Sequence, residues 1–373
     1  MGIIVQKYGG SSVADVERIH QVADRVVATV AEGHQVVVTV SAMGNTTSEL
    51  LALAQSVSPQ PKRRELDLLI SVGERVSMTL LAMAIQDRGV DAASFTGSQS
   101  GIITDENHVA AQVLEVRPDR IRDALKKGRV AIIAGFQGMS RSREVTTLGR
   151  GGTDTTAVVL TAALGADYCE ICSDVDGVYT ADPRVVPDAK KIDVLPLNAA
   201  ISMSRAGAKV LLADALEYAR FHNIALHANA TNRPVRQGTH LPPGETPLGA
   251  VAIASDKNLE RFSAPSMDSI PDVLKGATRH WFSTKEGTSV LVDTQNLHNR
   301  SRLPTSWKSH GPVATVSVIG RSVVRDPAMV QQAWIAAQQP AHWWATADTW
   351  TTMVSLDEKD AITRSLHQKL ITG

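Results

Sequence analysis

Residues 3–12, with the sequence IIVQKYGGSS, join a short apolar run to a turn that contains two glycines and two serines. The run Ile3–Gln6 has the length and the apolar character of a buried strand. After the turn, apolar residues recur every three or four positions from Val13 to Val30, which is the spacing of one face of an α-helix. The stretch therefore predicts a strand, a glycine turn and a helix in direct succession.

The same succession of strand and helix repeats along residues 1–230. Further short apolar runs predict strands at residues 36–40, 92–95, 130–134, 168–173 and 225–228. Helical spacing and end signals predict helices at residues 64–88, 118–127, 153–164 and 208–221. Short apolar strands that alternate with helices form parallel sheets covered on both faces, so the sequence predicts an α/β fold for this part of the chain.

A change of composition marks a boundary after the predicted α/β region. Residues 231–249 contain four prolines and several glycines, and all six tryptophans of the chain lie beyond them. Stretches rich in Pro and Gly commonly separate domains. A chain of 373 residues is long enough for two domains. We expect one domain over residues 1–245 and a second, of different character, over residues 246–373.

Charge and hydropathy exclude several classes of protein. The 38 basic and 38 acidic side chains give a formal net charge of zero, which argues against a nucleic-acid binder that relies on a basic surface. Apolar runs such as residues 36–40 are much shorter than the ~20 residues of a membrane span. The N-terminus lacks the basic and apolar segments of a signal peptide. We therefore expect a soluble, cytoplasmic protein with no nucleic-acid or membrane partner.

The two cysteines, Cys169 and Cys172, have a C-x-x-C spacing but lie within a run that predicts a buried strand. One such pair cannot form a four-ligand zinc site, and a thioredoxin-like pair would stand at the start of a helix. We expect two reduced cysteines in the core and no metal ligands among the side chains singled out here.

The turn after the first predicted strand carries residues suited to binding an anion. In open parallel sheets, ligands bind at the carboxyl ends of the strands, which is where Lys7 is predicted to lie. Glycines let the backbone approach an anion, the following helix supplies N–H donors, and Lys7 adds a full charge. A plain turn with a solvated lysine and a serine cap explains these residues equally well.

A second glycine turn, at residues 147–154, places Arg150 between glycines just ahead of a predicted helix. A guanidinium in this position can hold a carboxylate in bidentate fashion, beside free backbone donors. Thr153 could be only a helix cap, and Asp154 only an acid favoured by the helix dipole. A purely structural loop, however, has little use for an arginine flanked by glycines.

Residues 173–184 follow a predicted strand and contain three aspartates, Tyr179 and Arg184. The spacing resembles a calcium loop, but the later ligands of an EF-hand are missing. An adenine-nucleotide site fits better, because Tyr179 offers an aromatic face and Arg184 a phosphate contact. Neither a Walker sequence nor the H-R-D and D-F-G set of protein kinases occurs in the chain.

Seven short motifs stand in order over residues 1–230. They are KYGGSSV at 7–13, VTVSAMGNTT at 38–47, SVGER at 71–75, GFQG at 135–138, TLGRGGTD at 147–154, SDVDGVYTADPR at 173–184 and GAKV at 207–210. The ordered set resembles that of aspartokinases, which have the amino-acid kinase fold. Any one motif is weak, but seven in order are specific. The resemblance implies a three-layer αβα fold with a mainly parallel sheet.

The resemblance also implies an activity, namely ATP-dependent phosphorylation of the β-carboxylate of L-aspartate to 4-phospho-L-aspartate, with ATP and Mg²⁺ as cofactors. Lys7 would bridge the transferring phosphoryl group and the attacking carboxylate, and Asp154 would complete the catalytic centre. The implied aspartate-binding residues are Ser41, Thr47, Glu74 for the ammonium group, Arg150 for the α-carboxylate, and Thr153. The implied nucleotide-binding residues are Lys7, Gly9, Gly10, Ser173, Asp174, Tyr179, Arg184 and Lys209. Taken alone, Glu74 could be a solvated acid and Lys209 a surface lysine.

Beyond residue 250 the resemblance implies an α+β region of two ACT-like modules, of βαββαβ type, that serves regulation and dimerisation. Residues 314–322, followed by Asp326 and Pro327 and a helix over 328–337, resemble the start of one module. The glycine turn that would present N–H groups to an amino-acid effector is absent near residues 265–271 and at 326–328. We therefore expect a weak response to lysine and threonine, and we assign the tryptophans to core or dimer packing.

Two classes of function compete. The first is an active aspartokinase, released from lysine or threonine control, and the second is a non-catalytic ACT-bearing regulatory subunit. A weaker alternative is a kinase for another small acidic amino acid. The presence of Lys7, Glu74, Arg150 and Asp174 favours the enzyme. We expect a homo-oligomer, in the form of a dimer through the C-terminal region.

Overall fold

The computed structural model describes residues 2–149, 151–208, 211–264, 271–275, 277–284, 287–295, 297 and 303–372. The chain divides into two compact units. The first comprises Met1–Val178, Lys191–Ala200 and Val210–Glu245, and the second comprises Tyr179–Lys190, Ile201–Lys209 and Thr246–Gly373. The second unit therefore includes two segments, 179–190 and 201–209, that precede the boundary expected from composition.

The first unit is built from alternating strands and helices. Its strands are β1 Ile3–Tyr8, β2 Gln35–Val40, β3 Ala92–Phe95, β4 Ile102–Thr104, β5 Val113–Val116, β6 Val130–Ala134, β7 Gln137–Ser140, β8 Val145–Thr147, β9 Tyr168–Ser173, β10 Leu226–Ala230 and β11 Thr239–Leu241. Its helices are α1 Val16–Ala31, α2 Thr46–Val57, α3 Arg63–Ile70, α4 Val72–Gln86, α5 Asp119–Lys126, α6 Gly152–Leu164 and α8 Ala213–Phe221. A short 3₁₀ turn, Gly10–Val13, precedes α1, and α7, Leu197–Arg205, runs from the first unit into the second.

The main sheet of the first unit has the strand order β11-β10-β9-β1-β2-β6-β3 among the described residues. All of its neighbouring strands pair in parallel except β11, which is antiparallel to β10. Val36, Val38 and Val40 of β2 point to one face, where they form a core with α1 and α4. Because side chains alternate along a strand, Val37 points to the other face, on which α6 packs against β1, β2 and β9. The predicted three-layer αβα fold is confirmed.

A second, smaller sheet in the first unit was not predicted. Its strand order is β5-β4-β7-β8, and each of its strands has only three or four residues. Runs this short carry almost no period, so their pairing depends on contacts between distant segments. The sheet continues from β6 through a turn at Gly135 and Phe136.

Two of the predicted helices differ from the structure. The predicted helix over residues 64–88 is two helices, α3 and α4, which are interrupted at Ser71. The Ser71 carbonyl accepts a hydrogen bond from Gln137 Nε2 over 3.0 Å. The predicted helix over residues 208–221 begins only at Ala213, since the Ala208 N–H donates to Met203 O over 3.0 Å and so closes the turn that ends α7.

One helical stretch of the described residues, Arg63–Gln86, is long and apolar enough to cross a membrane by length and composition alone. The window that passes this test is 56% buried within the protein. Leu81 and Ile85 of this stretch belong to the core that packs on the main sheet. A core helix of a globular protein passes the same test, so the observation is weak support for a membrane span.

The second unit contains a curled antiparallel sheet. Its elements are β12 Ala252–Ala264, α9 Asp272–Lys275, β13 Thr278–Thr284, β14 Gly287–Asp293, β15 Lys308–Ile319, α10 Pro327–Ala336, β16 Trp343–Ala345, β17 Thr349–Val354 and α11 Lys359–Leu370. The strand order is β13-β14-β12-β15-β17-β16. His280 of β13 stacks on Trp344 of β16 with ring centroids 4.1 Å apart, so the two edge strands come into side-chain contact.

The two halves of this sheet are not equivalent. The half around β15 and β17 packs against α10 and α11, with the fully buried Trp350 in its core. In the other half, α9 has only four residues. Unlike the buried Trp350, the side chains of Trp281 and Trp343 are 50% and 44% exposed. The antiparallel sheet with helices fits the expected α+β, ACT-like region.

Candidate active site

The predicted ligand-binding turns of the first unit meet at one edge of its main sheet. β1 pairs in parallel with β2 and β9, and β2 pairs in parallel with β6. The carboxyl ends of these strands therefore lie side by side. Lys7 lies near the end of β1, Ser41 follows β2, and Ser173 ends β9. In open α/β sheets, this edge is where ligands bind.

Lys7 and Asp154 form an ion pair at this edge. The Lys7 Nζ lies 2.7 Å from Asp154 Oδ1, and the two side chains are only 12% and 13% exposed. Asp154 stands in the first turn of α6. A Cβ on Gly9 would lie 3.3 Å from the Lys7 Nζ, so the glycine leaves room for the ammonium group. The ammonium group and the helix N-terminus together favour an anion here.

Ser41 and Thr153 join the end of β2 to the same turn of α6. The Ser41 hydroxyl donates to Thr153 Oγ1 over 3.0 Å. Gly135, which follows β6, lies against the Thr153 side chain, because a Cβ on this glycine would lie 2.5 Å from Thr153 Cγ2. The hydroxyls of Ser41 and Thr153 thus lie beside the Lys7–Asp154 ion pair.

Glu74 is a buried acid in the first turn of α4, with 3% of its surface exposed. Its Oε1 accepts a hydrogen bond from the Ala42 N–H over 3.0 Å. Its Oε2 is also buried and has no hydrogen-bond partner among the described residues. Burial raises the pKa of Glu74 to about 7, although hydrogen bonds from backbone N–H groups oppose the rise. A buried carboxylate oxygen without a donor is a place for a cationic ligand group.

The glycine turn after β1 is in contact with the segment that leads into α2. The Gly44 N–H donates to Gly10 O over 3.1 Å. A Cβ on Gly10 would lie 3.0 Å from Ala42 O and 3.2 Å from Gly44 O. Thr47, partly buried, follows in the first turn of α2. The structure therefore brings Lys7, Gly10, the segment 41–47 and α6 together, through a continuous set of contacts.

Ser173 and Asp174 lie at the end of β9, and Asp174 is exposed. The Ser173 carbonyl accepts hydrogen bonds from the Thr231 N–H over 2.9 Å and from its hydroxyl over 3.0 Å. The Thr231 hydroxyl also lies 2.7 Å from Ser12 Oγ. Thr231 thus connects the end of β9 to the turn after β1. No motif pointed to it, because these partners lie 58 and 219 residues away in the sequence.

Two other predicted nucleotide-binding residues, Tyr179 and Arg184, belong to the second unit. There, Arg184 Nη2 pairs with Asp182 Oδ2 at 2.8 Å and the Arg184 side chain is 88% exposed. The hydrogen bond from Arg184 lowers the pKa of Asp182. The roles predicted for Arg150 and Lys209 concern residues outside the described ranges, so they stay predictions.

A buried polar network behind the site was also missed by sequence reasoning. Arg25 Nη2 lies 2.8 Å from Glu170 Oε1, with side chains 6% and 0% exposed. Gln6 and Asn229 donate to Glu170 over 3.3 and 3.0 Å, and Arg25 donates to the Thr231 carbonyl over 3.2 Å. The available signal was a set of polar residues inside strands that are otherwise apolar. The network fixes β9, β10 and α1 behind Thr231.

Residues 2–227 match the amino acid kinase family. The match covers more than half of the chain, including Lys7, Glu74 and Asp154. The chain belongs to this family.

Within the family, the chain is similar to aspartokinases. It is 50% identical to the aspartokinase of Mycobacterium tuberculosis over 278 residues, which are 73% of this chain and 66% of that protein. It is 54% identical to the aspartokinase of Mycolicibacterium smegmatis over 232 residues, which are 62% of this chain and 55% of that protein. The chain thus spans less than two thirds of the length of these relatives. The predicted resemblance to aspartokinases is confirmed.

A solved structure shares the fold over nearly the whole chain. It is E. coli aspartokinase III in complex with aspartate and ADP, with a TM-score of 0.86 over 99% of both chains and 23% sequence identity. At this identity the likeness concerns the fold alone. It includes the antiparallel C-terminal sheet as well as the αβα region.

Proposed function

We propose that the chain is an aspartate kinase, which transfers the γ-phosphoryl group of ATP to the β-carboxylate of L-aspartate and releases 4-phospho-L-aspartate and ADP. The observation that carries the proposal is the continuous set of contacts from Glu74 through Ser41 and Thr153 to the Lys7–Asp154 ion pair. It offers a carboxylate for a substrate ammonium group and a cation for a phosphoryl group at one edge of the main sheet. The proposal is also supported by the similarity to aspartokinases, and by the aspartate and ADP bound to the E. coli enzyme.

In the proposed reaction, a β-carboxylate oxygen attacks the γ-phosphorus, and the bond from that phosphorus to the β,γ-bridging oxygen breaks. No proton moves, because the nucleophile is already ionised and ADP leaves as an anion. Catalysis therefore consists of alignment and charge neutralisation. Lys7 lies between the two negative groups, and Asp154 holds the Lys7 Nζ in place.

Recognition of aspartate divides among several groups. Glu74 Oε2 accepts from the ammonium group, and Arg150 binds the α-carboxylate. The hydroxyls of Ser41, Thr47 and Thr153 complete the pocket. The acceptor must carry an ammonium group, an α-carboxylate and a second carboxylate near Lys7. L-Aspartate carries all three groups, whereas a simple dicarboxylic acid lacks the ammonium group.

ATP binds, in this proposal, over the turn after β1. The backbone N–H groups of Gly9 and Gly10 donate to the phosphates, with Lys7 beside them. The remaining nucleotide contacts come from Ser173, Asp174, Tyr179, Arg184 and Lys209. The assignments of Ser173 and Asp174 are supported by their place at the carboxyl end of β9.

Mg²⁺ fits this site as an ion carried mainly by ATP. Among the described residues, no three His, Cys, Asp or Glu side chains come together as a metal cage. Mg²⁺ in kinases needs no such cage, since it is bound by one or two carboxylates together with substrate phosphates and water. The exposed Asp174 after β9 fits that role. When bound, the ion neutralises phosphate charge.

The same proposal includes the organisation of the protein. Residues 1–245 form the catalytic domain, and residues 246–373 form a divergent ACT-like region for regulation and dimerisation. The exposed Trp281 and Trp343 support a homodimer through this region, because large aromatic side chains are common in the centre of interfaces. A cytoplasmic location is part of the same proposal, because the proposed phosphoryl donor is ATP.

The proposal is tested by incubating the protein with MgATP and L-aspartate and trapping the product with hydroxylamine, which converts an acyl phosphate into a hydroxamate. We expect ADP and hydroxamate to form in equal amounts. Lys7→Ala should lower kcat by roughly 10²- to 10³-fold, because the cation acts on charge that develops during transfer. Lys126→Ala, which removes a cation that is 76% exposed, is the matched control and should leave kcat unchanged.

Three outcomes would contradict the proposal. ADP release that does not depend on aspartate would indicate an ATPase. Hydroxamate formed faster from L-glutamate than from L-aspartate would indicate another acceptor. Absence of any nucleotide turnover, with normal folding by circular dichroism, would favour the non-catalytic regulatory subunit.

A further inference from the structure

Asp67, in α3, is a fully buried acid that joins three segments of the first unit. Its Oδ1 accepts hydrogen bonds from the Thr147 hydroxyl over 2.6 Å and from the Val109 N–H over 3.0 Å. Its Oδ2 lies 2.5 Å from His108 Nδ1. A carboxylate only accepts hydrogen bonds, so His108 is the donor in this contact. The set of Asp67, His108, Val109 and Thr147 is called the Asp67 clamp below.

The clamp is an unusual use of a buried charge. The donors to Asp67 named above are a hydroxyl, a backbone N–H and an imidazole, with no lysine or arginine among them. Burying a carboxylate is unfavourable unless it is fully hydrogen-bonded. An apolar side chain at this position would leave these three donors without their acceptor. What only the acid provides is a fixed distance between α3, the loop 105–112 and the end of β8.

The clamp also holds the backbone of the loop 105–112 in a strained conformation. Val109 has a φ of 75°, which β-branched residues rarely adopt. The hydrogen bond from its N–H to Asp67 stabilises that conformation. The loop then lies along the end of β8, since the Ala111 N–H donates to Thr147 O over 2.9 Å. A Cβ on Gly149 would lie 3.2 Å from Val109 O.

The segment held in this way leads directly into the proposed aspartate site. Thr147 ends β8, and α6 begins at Gly152. Backbone hydrogen bonds carry the position of this segment forward, because the Gly152 N–H donates to Gly149 O over 3.0 Å and the Asp154 N–H donates to Gly151 O over 2.9 Å. A change at Thr147 therefore reaches Asp154 through a short and continuous path.

We propose that Asp67 is a positioning residue for the phosphoryl acceptor, which acts by fixing the segment 147–154 through Thr147. It does not touch the acceptor itself. Within the function proposed above, on which this inference rests, the segment carries Arg150, Thr153 and Asp154. Loosening the segment should weaken the binding and alignment of aspartate. The backbone of the turn after β1 and the end of β9 are held by other contacts, so the KM for ATP should change much less than the KM for aspartate, although Asp154 also pairs with Lys7.

The test removes a single hydrogen bond from the clamp. Thr147→Val keeps the shape of the side chain but loses the hydroxyl, whereas Thr147→Ser keeps the hydroxyl. We expect Thr147→Val to lower kcat/KM for aspartate by roughly 10- to 100-fold, since small misplacements of a binding group have effects of this size. The KM for ATP should stay within about twofold of the wild-type value, which is a negligible free-energy change. Thr147→Ser should restore most of the activity.

Thr104→Val is the matched control for the loss of a buried hydroxyl. Thr104 Oγ1 lies 2.6 Å from Thr146 Oγ1 in the same small sheet, and both residues are fully buried. The control loses this hydrogen bond and a second one, from the Thr104 hydroxyl to Asp105 O over 2.9 Å, but it keeps every hydrogen bond that Asp67 accepts. We expect it to lower the melting temperature as Thr147→Val does while leaving kcat/KM for aspartate unchanged. Equal losses of kcat/KM in the two variants would show that the clamp contributes only to stability and does not position the acceptor.

Hydrogen exchange gives a second measurement that does not depend on turnover. The backbone N–H groups of residues 148–154 should exchange faster in Thr147→Val than in Thr147→Ser or Thr104→Val. If the wild type does not phosphorylate aspartate, the proposed function fails, and exchange still decides whether the clamp fixes this segment. If the wild type is active but Thr147→Val matches it in kinetics and exchange, the clamp proposal fails alone.

Discussion

At the scale of single residues, the ionised form of Glu74 favours binding of an ammonium group but lowers the stability of the fold. Burial raises its pKa from 4.5, its value in an unfolded chain, to about 7. The folded state therefore holds more protons between these pH values, and folding stability falls as the pH rises through this window. At about 1.4 kcal/mol per pKa unit, ionised Glu74 destabilises the fold by a few kcal/mol, an order-of-magnitude figure, above pH 7. A substrate ammonium group on Oε2 would offset this cost.

The pKa of Glu74 predicts the pH dependence of acceptor binding. Below pH 7 the carboxyl group is protonated and loses its attraction for an ammonium group, so kcat/KM for aspartate should fall about tenfold per pH unit. Glu74→Gln should raise the KM for aspartate roughly 10- to 100-fold, flatten this pH profile and stabilise the fold at pH 8.

The measurement is kcat/KM for aspartate between pH 5.5 and 8.5, at saturating MgATP, together with thermal unfolding at pH 5 and 8. Protonation of ATP affects the wild type and the variant equally, so a difference between their two pH profiles does not come from the nucleotide. Parallel slopes in the wild type and the variant would place the titrating group elsewhere.

At the scale of elements, we expect the contact between the turn after β1 and the loop after β2 to couple the proposed ATP and aspartate sites. Gly10→Ala would place a Cβ 3.0 Å from Ala42 O and 3.2 Å from Gly44 O, so the loop must move by a few tenths of an ångström. Ala42 also donates to Glu74, which ties this movement to the aspartate site. We expect a drop of at least about tenfold in kcat/KM for both ATP and aspartate.

Gly128→Ala is the control for Gly10→Ala. Gly128 has a φ of 73° after α5, with nothing within 4 Å of an added Cβ, so its substitution strains the backbone far from the site. It should destabilise the fold by about 1 kcal/mol with unchanged kinetics. Loss of stability without loss of activity in Gly10→Ala would show that the contact between the two loops has no kinetic role.

Elements with a strong local pattern could be predicted, and those that depend on distant contacts could not. Strands β3, β6 and β9 lie at the predicted residues, because continuous apolar runs mark buried parallel strands. The sequence does not indicate the break between α3 and α4, since the apolar spacing continues across Ser71. At the break, the Ser71 carbonyl accepts a hydrogen bond from the distant Gln137. Among site residues, Lys7, Glu74 and Asp154 belong to motifs, whereas Asp67 and Thr231 are defined only by partners far away in the chain.

At the scale of the whole molecule, composition does not reveal that two earlier segments, 179–190 and 201–209, belong to the second unit. Prolines and glycines are frequent around residue 245, where the last boundary between the units lies. Residues 179–190 join the second unit because Val186 and Ala181 are buried in the core around Trp350. Nothing local in that segment shows which unit it joins. Membership in a unit is therefore a property of packing rather than of sequence pattern.

The last prediction concerns regulation through the second unit, where we expect little or no response to lysine or threonine. An effector inhibits only if it binds one conformational state better than another. At the start of α10, the Asp326 carboxylate already accepts from the Ala328 N–H over 2.9 Å, and Pro327 has no N–H to offer. A helix start occupied by its own acid repels an effector carboxylate. The other predicted turn, near residues 265–271, lies outside the described residues except for Pro271.

Calorimetry with each amino acid, alone and combined, measures binding, and initial rates at several aspartate concentrations measure inhibition. Light scattering under the same conditions should give the mass of a dimer, so that a missing response is not explained by a dissociated second unit. Asp326→Asn keeps a cap acceptor and removes the charge. If charge repulsion excludes the effector, this variant should bind lysine or threonine more tightly than the wild type does. Inhibition of the wild type at sub-millimolar effector would mean that the occupied helix start does not prevent binding.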